Sequence, residues 1–394
     1  MLEDLDDLMA EYGCDALFLE GLSIHNTDLF YVTKFLAVDK AYYVKVAGQP
    51  PILAATDLVC ERAQRHSPMK NFYTVSPIWE QAVRDRLSRE ELDQLIINNI
   101  ARKLIPSNSV VGIPRNTDAV AVIELNNSGL IAKPVQDLFL QARETKSVKE
   151  LQAIQKASRA TEATFERVIE FFQNAKVGSN NVLLHNGVPI TVGNIKHLIE
   201  HSLVDNDSEN SQESIVAGGI RGADFHYLGQ REDRLRANEP IIVDIYPRRL
   251  EERFHADITR TIVRGNVSSK LQKMFEAVES ALDAVIDSIR IGGTTEEMVN
   301  TMSDSFERDG YPSANRNPEI KEGMLHGLGH GIGLDVHELP FLSPLPYPLR
   351  ENAAIAIEPG LYYKRIGGVR IEDDVIITKR GARRITRLPR TYFL

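Results

Sequence analysis

The feature that most constrains this chain is a set of acidic side chains inside apolar, strand-like segments of its C-terminal part. A lone carboxylate in an apolar strand is costly, and several that converge would be untenable without cations to neutralise them. Five side chains of metal-binding type occupy such positions: Asp244, Asp257, His330, Glu358 and Glu372. Their placement predicts a buried centre of two metal ions that is suited to hydrolysis.

The two aspartates lie in neighbouring apolar runs. Asp244 follows the run 241–243, and Asp257 is followed by Ile258 and further β-branched residues. The segment 246–253 between them is polar and contains a proline, which is typical of a hairpin turn. We therefore expect a hairpin that brings the two acids together.

Each glutamate belongs to an apolar segment of its own. Glu358 ends the segment 353–357 and is followed by a Pro-Gly pair, which predicts a strand that ends in a turn. Glu372 lies in the segment 368–377. If this segment is one strand, its two-residue period puts Arg370 and Glu372 on the same face, with Arg370 as a supporting partner.

The segment 326–338 carries glycines at alternate positions and several histidines. Four glycines within eight residues disfavour a helix. If the segment is extended, one face has no side chains, and His326, Leu328, His330 and Ile332 share the other. A lone histidine here would more often be an ordinary imidazole, but the clustering favours a functional site.

Together, these motifs resemble the pita-bread metallopeptidases of family M24, which include methionine aminopeptidase, aminopeptidase P and prolidase. The matching stretches are Val-Asp-Ile, Ala-Asp-Ile-Thr-Arg-Thr, His-Gly-Ile-Gly-Leu-Asp-Val-His-Glu, Ile-Glu-Pro-Gly-Leu-Tyr and Val-Arg-Ile-Glu-Asp-Asp. The resemblance implies that Asp244 holds one metal ion and that Asp257 and Glu372 bridge it to a second. His330 and Glu358 would complete the coordination of the second ion.

The ligand set also indicates the metal and the reaction. Four carboxylates and one imidazole are a hard, oxygen-rich set that favours Mn²⁺, with Co²⁺, Fe²⁺ and Zn²⁺ as alternatives. Two such ions about 3.5–4 Å apart would share a water, lower its pKa and present a bridging hydroxide to a carbonyl carbon. Peptide hydrolysis is the natural reaction.

The resemblance also implies roles for the polar residues around the ligands. His226 would reach the substrate near the leaving group, and His337 would contact the scissile carbonyl. Glu358 would carry a proton to the departing nitrogen. We expect His326 and Arg370 to contribute to substrate binding.

One spacing departs from the family. Asp244 and Asp257 are two positions further apart than is common among its members, which lengthens the turn between them. Two extra residues preserve the inward-facing parity of both strands, so we expect metal binding to survive. The longer turn is expected to alter the mouth of the pocket.

The organisation of the chain indicates two domains. Residues 1–140 alternate helical stretches with apolar runs, which predicts an α/β domain, and the resemblance implies a creatinase-like domain that caps the site and forms dimers. Residues 141–394 form the predicted α+β pita-bread catalytic domain. It opens on a long amphipathic helix with the buried stripe Leu151, Ile154, Thr161, Phe165, Val168 and Phe172.

The predicted catalytic domain contains a coarse internal repeat, in which two helices are followed by a ligand-bearing hairpin. The second copy is the clearer one, with an apolar stripe over 271–289 and a further helix over 295–308. Two such halves would enclose a site between two curved sheets, as the pita-bread architecture requires.

Composition excludes several classes of partner. The net charge of −9 disfavours binding to nucleic acid or to an anionic membrane. The acidic start lacks the features of a signal peptide, which predicts a cytoplasmic protein. Cys14 and Cys60 are too few for a disulfide framework and lie far from the motifs, so thiol chemistry is not expected.

Several polar residues outside the ligand set receive no role. Asp373 and Asp374 are expected to support the ligands or to end a strand in solvent. Arginines that could bind a substrate carboxylate are more often solvated surface charges, and none is assigned: Arg221, Arg248, Arg249 and Arg253. Histidines outside the motifs are treated as ordinary residues: His25, His66, His185, His197, His201 and His255.

Within the family, the N-terminal domain and the Asp-Val-His-Glu-Leu-Pro stretch favour a proline-specific peptidase. We predict an Xaa-Pro dipeptidase (prolidase), a homodimer that acts on peptides with proline in second position. The alternative is aminopeptidase P, which accepts longer peptides. A second alternative is a creatinase-like amidohydrolase for non-peptide substrates or a non-catalytic binding protein, because fold alone does not fix function.

Overall fold

The computed structural model describes residues 5–394. Contacts divide the chain into two compact units, with the boundary between Arg143 and Glu144. The boundary expected from sequence lies three residues earlier, after residue 140. Within the described residues, no helix has the combination of length and apolar character that crossing a membrane requires.

The first unit is an α/β domain with one six-stranded sheet. Its strands are β1 (Ala16–Gly21), β2 (Ala41–Val46), β3 (Ile52–Ala55), β4 (Asn71–Thr74), β5 (Val110–Ile113) and β6 (Ile131–Pro134). Its helices are α1 (Leu5–Glu11), α2 (Thr27–Thr33), α3 (Asp57–His66), α4 (Ser76–Asp85), α5 (Arg89–Leu104), α6 (Ala119–Asn127) and α7 (Gln136–Glu144), the last reaching the boundary. The sheet order is β4-β3-β2-β1-β5-β6 and the pairing is mixed.

The second unit contains four long helices. They are α8 (Val148–Gln173), α9 (Val192–Asp205), α10 (Ser269–Ser288) and α11 (Thr295–Arg308). A capping box between Ser147 and Glu150 starts α8, and a second one between Thr294 and Glu297 starts α11. The helices predicted from periodicity at both places are confirmed.

The strands of the second unit form two main sheets and three small ones. The first half contributes β7 (Lys176–Val177), β8 (Leu183–His185), β9 (Val188–Pro189), β10 (Ser208–Asn210), β11 (Ile215–Gly218), β12 (Ile241–Ile245), β13 (Pro247–Arg249) and β14 (Ile258–Val263). The second half contributes β15 (Gly329–Gly331), β16 (Glu338–Leu342), β17 (Ala354–Ile357), β18 (Gly360–Tyr363), β19 (Gly367–Arg370), β20 (Asp373–Thr378), β21 (Gly381–Arg384) and β22 (Tyr392–Phe393). The main sheets have the orders β11-β12-β14-β22 and β16-β15-β17-β20-β21.

Each main sheet is covered by its own pair of helices. Residues of α8 and α9 share a buried apolar cluster with β11, β12 and β14, and residues of α10 and α11 share another with β17 and β20. The internal repeat predicted from sequence is therefore present as two helix pairs on two sheets. The two sheets meet where Glu372 N donates to Thr259 O at 3.1 Å.

Two local predictions were wrong in detail. The turn between Asp244 and Asp257 is more than a loop, because it contains β13, which pairs with β10. The segment 368–377 is two strands rather than one, since β19 ends at Arg370 and β20 begins at Asp373. The segment does not form a single strand because the amide of Glu372 bonds to β14 in the other sheet, which interrupts the hydrogen-bond ladder in the stretch between β19 and β20.

The glycine-rich segment is also less regular than predicted. Leu328 is fully buried in the apolar cluster under the second sheet, whereas His326 and His330 line a cavity, so they do not share one face. Gly329 has a φ of +151°, and the register shifts between His330 and Gly331. Both irregularities break the two-residue alternation on which the prediction relied.

We predict that Phe165→Ala destabilises the second unit by about 3–5 kcal/mol, because it empties a fully buried site between α8 and the first sheet. The free energy of unfolding from chemical denaturation measures the effect. Glu170→Ala, an exposed change on the same helix, is the matched control and should stay within about 0.5 kcal/mol of the parent. Equal effects of the two changes would contradict the assignment of this core.

Candidate metal centre

The first main sheet positions the two aspartates. Asp244 lies in β12, which pairs antiparallel with β14, and Asp257 directly precedes β14. The predicted hairpin pairing is confirmed, with Asp244 opposite Thr259. The amide of Asp257 donates to Asp374 Oδ2 at 3.1 Å, which fixes the backbone at the point where the second acid enters the site.

The second main sheet positions His330 in the middle of β15. Its neighbour Gly329 must be a glycine, since a Cβ there would lie 2.1 Å from the carbonyl oxygen of Ala356. His330 Nδ1 lies 3.1 Å from Gly331 O, so this nitrogen carries the proton and donates it. The other ring nitrogen, Nε2, is left as a lone-pair donor toward the acids, which is the tautomer that a metal ligand requires.

The two glutamates follow strands of the same region. Glu358 comes directly after β17, and its amide donates to Leu328 O at 2.9 Å. Glu372 lies between β19 and β20 and is held from the first sheet, because Thr259 Oγ1 donates to its Oε2 at 2.7 Å. Each glutamate is thus held by a residue of another segment, Glu358 through its backbone amide and Glu372 through its side chain.

The structure brings ligand atoms of Asp257, His330 and Glu372 within 4.8 Å of one another. His330 Nε2 lies 3.6 Å from Asp257 Oδ2 and 3.9 Å from Glu358 Oε1. Asp244 lines the same cavity, which measures about 240 Å³. All five side chains predicted as ligands therefore line one space.

Burial and like charge dominate the electrostatics. Burial raises the pKa of Asp257 well above its usual value, and the charges of Glu372 and Asp244 raise it further. The pKa of Glu372 is also raised well above normal by burial, then by Glu358 and Asp244, and burial raises that of Glu358 to about 7. Burial lowers the pKa of His330 to about 3, which keeps its imidazole neutral.

The donor set fits two hard divalent cations. Asp244 Oδ1 and Asp257 Oδ1 are buried without a hydrogen-bond partner, although a buried carboxylate oxygen normally has one. Two unsatisfied carboxylate oxygens beside a neutral imidazole with its Nε2 lone pair directed inward are the groups that a cation would satisfy.

A hydrogen-bonded network links Asp244 to the far side of the cavity. Arg370 Nη2 donates to Asp244 Oδ2 at 2.6 Å, and Arg370 Nη1 donates to Tyr362 Oη at 3.0 Å. Tyr362 Oη in turn lies 2.8 Å from His326 Nε2. Arg370 was expected beside Glu372. Its ion-pair partner is Asp244, and the hydroxyl of Thr259 lies between Arg370 and Glu372 and bonds to both.

Thr259 joins this network to the ligands. Its hydroxyl donates to Glu372 and accepts a hydrogen bond from Arg370 Nε at 3.2 Å. Sequence reasoning missed both Thr259 and Tyr362. Thr259 lies two positions after Asp257, on the same face of the strand, so the two-residue period of the hairpin could have indicated it.

The two aspartates that follow Glu372 are both fully buried, which excludes a solvated strand end. Asp374 accepts from the amide of Asp257, and Asp373 forms ion pairs with Arg260, Arg384 and Arg390. They support the backbone of the ligand-bearing strands.

The remaining predicted site residues surround the cavity. His226, His326 and His337 all line it. The rings of His330 and His337 are 4.2 Å apart between centroids, while His326 packs against Phe225 at 5.1 Å. Burial lowers the pKa of His326 to about 3 and also lowers that of His337. The three histidines are thus in the same space as the five candidate ligands.

The arginines considered for carboxylate recognition lie elsewhere. Arg248 and Arg253 both bond to Glu209, and Arg249 bonds to Glu252. Arg221 pairs with Asp233, so among the described residues Arg370 is the arginine that lines the cavity.

The sequence over residues 152–379 matches metallopeptidase family M24. The chain belongs to this family. M24 enzymes are dinuclear and metal-dependent, so the protein is a metallopeptidase, in agreement with the buried acidic cluster.

Individual relatives and solved structures extend the comparison. The Xaa-Pro dipeptidase of Pyrococcus horikoshii is 31% identical over 264 residues, which cover 66% of this chain and 67% of that protein. The crystal structure of the prolidase from P. horikoshii OT3 has a TM-score of 0.78 at 24% identity and covers 99% of this chain and 98% of its own. The X-Pro aminopeptidase structure from Thermotoga maritima MSB8 has a TM-score of 0.77 at 21% identity, with coverage of 98% and 100%. The predicted pita-bread fold is confirmed.

We predict that Thr259→Val lowers metal affinity about 10- to 100-fold, because it removes the hydroxyl that orients Glu372 without changing side-chain volume much. Competition with a chromophoric chelator measures the affinity. Thr259→Ser keeps the hydroxyl and should bind metal almost as tightly as the parent. If the valine and serine variants bind metal equally well, the hydroxyl does not support the centre.

Proposed function

We propose that this M24 metallopeptidase is an Xaa-Pro dipeptidase, which hydrolyses the peptide bond between a first residue and a proline. The proposal rests chiefly on the convergence of Asp257, His330 and Glu372 in a cavity that Asp244 and Glu358 also line. The substrate class follows the P. horikoshii relative, whose name is Xaa-Pro dipeptidase.

We assign Asp244 as the residue that would hold one metal ion, and His330 and Glu358 as those that would hold the second. Asp257 and Glu372 would be shared between the two ions. Two observations support this division: His330 Nε2 is within 4 Å of both Asp257 and Glu358, and the Arg370 ion pair uses only one oxygen of Asp244. The oxygen-rich set favours Mn²⁺, while Co²⁺, Fe²⁺ and Zn²⁺ accept the same ligands.

When bound, the two ions lower the pKa of a water molecule and polarise the scissile carbonyl. The residues around them then have separate tasks. We assign proton transfer to the leaving nitrogen to Glu358, which is the least buried of the five ligands. We assign His337, whose ring lies against that of His330, to contact with the scissile carbonyl. We assign His226, which lines the same cavity, to the leaving-group side.

Substrate binding is assigned to the aromatic wall of the cavity. Phe225 and His326 line the cavity with ring centroids 5.1 Å apart, and the buried Tyr362 packs behind them at 5.6 and 5.3 Å. The two lining rings present flat faces that suit a pyrrolidine ring. Both nitrogens of His326 are already bonded, to Gly327 O and to Tyr362 Oη, so the ring contributes by packing. Arg370 contributes indirectly, because it holds Tyr362 and Asp244 in place.

Single substitutions distinguish the residues that bind metal from those that contact the substrate. Asp257→Asn should abolish turnover and lower the metal content, because a bridging carboxylate is lost. His337→Ala should lower turnover and leave both metals bound, since it is assigned to the substrate. Hydrolysis rate and metal content per chain are measured on the same samples. Loss of metal in His337→Ala, or full activity with normal metal content in Asp257→Asn, would contradict these roles.

One observation keeps aminopeptidase P as a second candidate. A dipeptidase must recognise a free carboxylate directly after proline, but the guanidinium that lines the cavity, that of Arg370, is already paired with Asp244. Among the described residues that line the cavity, recognition would then fall to an imidazole such as that of His226 or to the amide of Gln212.

A panel of three peptides distinguishes an Xaa-Pro dipeptidase from aminopeptidase P. The Mn²⁺-reconstituted protein is assayed with an Xaa-Pro dipeptide, with the same peptide extended by one residue, and with the extended peptide in which alanine replaces proline. Cleavage of the dipeptide alone is the expected result. Cleavage of the extended proline peptide would move the assignment to aminopeptidase P. If the protein holds two metal ions and cleaves neither of the proline peptides, a non-peptide amidohydrolase would be favoured.

We further propose that the protein is cytoplasmic and, as the resemblance to M24 peptidases with an N-terminal domain implies, a homodimer. Its two cysteines, Cys14 and Cys60, are free and buried, as suits a reducing compartment. The excess of acidic residues disfavours nucleic acid and anionic membranes as partners.

A further inference from the structure

A second cavity lies in the same unit as the metal centre and shares no lining residue with it. Its volume is about 850 Å³, and its walls come from the second half of α8, the β8–β9 hairpin and α9. Three histidines line this cavity: His185, His197 and His201. The proposed peptidase chemistry uses none of them.

His197 and His201 are one helical turn apart on α9. Side chains four positions apart on a helix lie on the same face, and these two rings are 4.2 Å apart between centroids, at an angle of 64°. Both side chains are exposed. The helix beneath them is regular and begins with a capping box at Thr191, so the pair sits on a rigid support.

Two imidazoles at this spacing form a recognised chelate, because rotation of the side chains can direct one nitrogen of each ring at a shared ion. We propose that His197 and His201 form an additional metal site for Zn²⁺, Ni²⁺ or Cu²⁺, separate from the dinuclear centre. Imidazole ligands suit these ions better than the harder Mn²⁺. The histidine pair therefore favours Zn²⁺, Ni²⁺ or Cu²⁺ over Mn²⁺, whereas the acidic centre favours Mn²⁺ and also accepts Zn²⁺.

The residues around His197 and His201 determine how tightly the pair can bind a metal ion. Asp205 follows on the same helix face, but its Oδ2 is held by Arg167 at 2.6 Å. Within residues 5–394, no third His, Cys, Asp or Glu lies close enough to join His197 and His201 in a preformed group. Water therefore completes the coordination, or His185 does so after leaving its stack on Phe171. We expect weaker binding than at the five-ligand centre.

The site has a consequence for metal counting. A protein saturated with Zn²⁺ should carry one more ion per chain than the same protein saturated with Mn²⁺. A stoichiometry above two would then come from the histidine pair on α9 and would say nothing about the dinuclear centre.

Chromatography on immobilised Cu²⁺ tests the site with an exposed ion that cannot enter a buried centre. The untagged, Mn²⁺-reconstituted protein should be retained, and His197→Ala and His201→Ala should each elute at a clearly lower imidazole concentration. His66→Ala, an exposed histidine on α3, is the matched control and should elute with the parent. If both α9 variants elute with the parent, the proposal fails.

Metal content gives a second, independent measurement. After saturation with Zn²⁺ and removal of free ion, the parent should hold one more zinc per chain than the His197→Ala/His201→Ala double variant. The Mn²⁺-dependent hydrolysis rate should be the same in both proteins, which shows that the variant is folded and its dinuclear centre intact. Equal zinc content would overturn the proposal. Column retention and zinc content do not depend on the peptide specificity proposed above; only the hydrolysis control does.

Discussion

Asp244, Asp257 and Glu372 lie together in a buried space between two sheets, where their negative charges repel one another. An ionised carboxylate in a protein interior costs several kcal/mol unless charge and hydrogen bonds compensate it. The positive charge of Arg370 compensates Asp244, and the hydroxyl of Thr259 donates one hydrogen bond to Glu372. The two metal ions of an M24 enzyme offset the negative charge that remains. This electrostatic demand links the fold to the chemistry.

The scaffold holds the ligands from outside the site. Arg260 is fully buried in β14 and donates to Thr259 O at 2.8 Å, to Glu372 O at 2.6 Å and to Asp373 Oδ1 at 2.7 Å. Its Nε also donates to Pro389 O, near the C-terminal end of the chain. One guanidinium therefore ties the first sheet, the backbone of a ligand and a distant segment together. Such precise support is what a metal centre needs to keep its geometry.

Much of this site could be predicted because the signals are local. An acid within an apolar run, or a histidine among alternating glycines, is visible in a few neighbouring residues. These patterns indicated the segments of all five candidate ligands, and the resemblance to the M24 family selected Glu372 over Asp373 and Asp374. The helix at 295–308 was predictable for the same reason, because its capping box and its apolar stripe lie within the helix.

The parts that sequence missed depend on contacts between distant segments. The hydroxyl of Thr259 bonds to Glu372, which is 113 positions away in the sequence, and Arg370 pairs with Asp244, which is 126 positions away. The bond from Glu372 N to Thr259 O also splits the segment that looked like one strand. Periodicity describes one segment at a time, so it cannot reveal which residue of another sheet will compete for a backbone amide.

Anomalous X-ray diffraction from crystals of the Mn²⁺-reconstituted protein can locate the ions of the proposed dinuclear centre. Data collected on both sides of the manganese absorption edge do so without reference to activity. Two manganese peaks are expected between the carboxylates of Asp257 and Glu372, one beside Asp244 and the other beside His330 and Glu358. A single peak, or peaks only outside this cavity, would rule out a dinuclear centre held by these five residues.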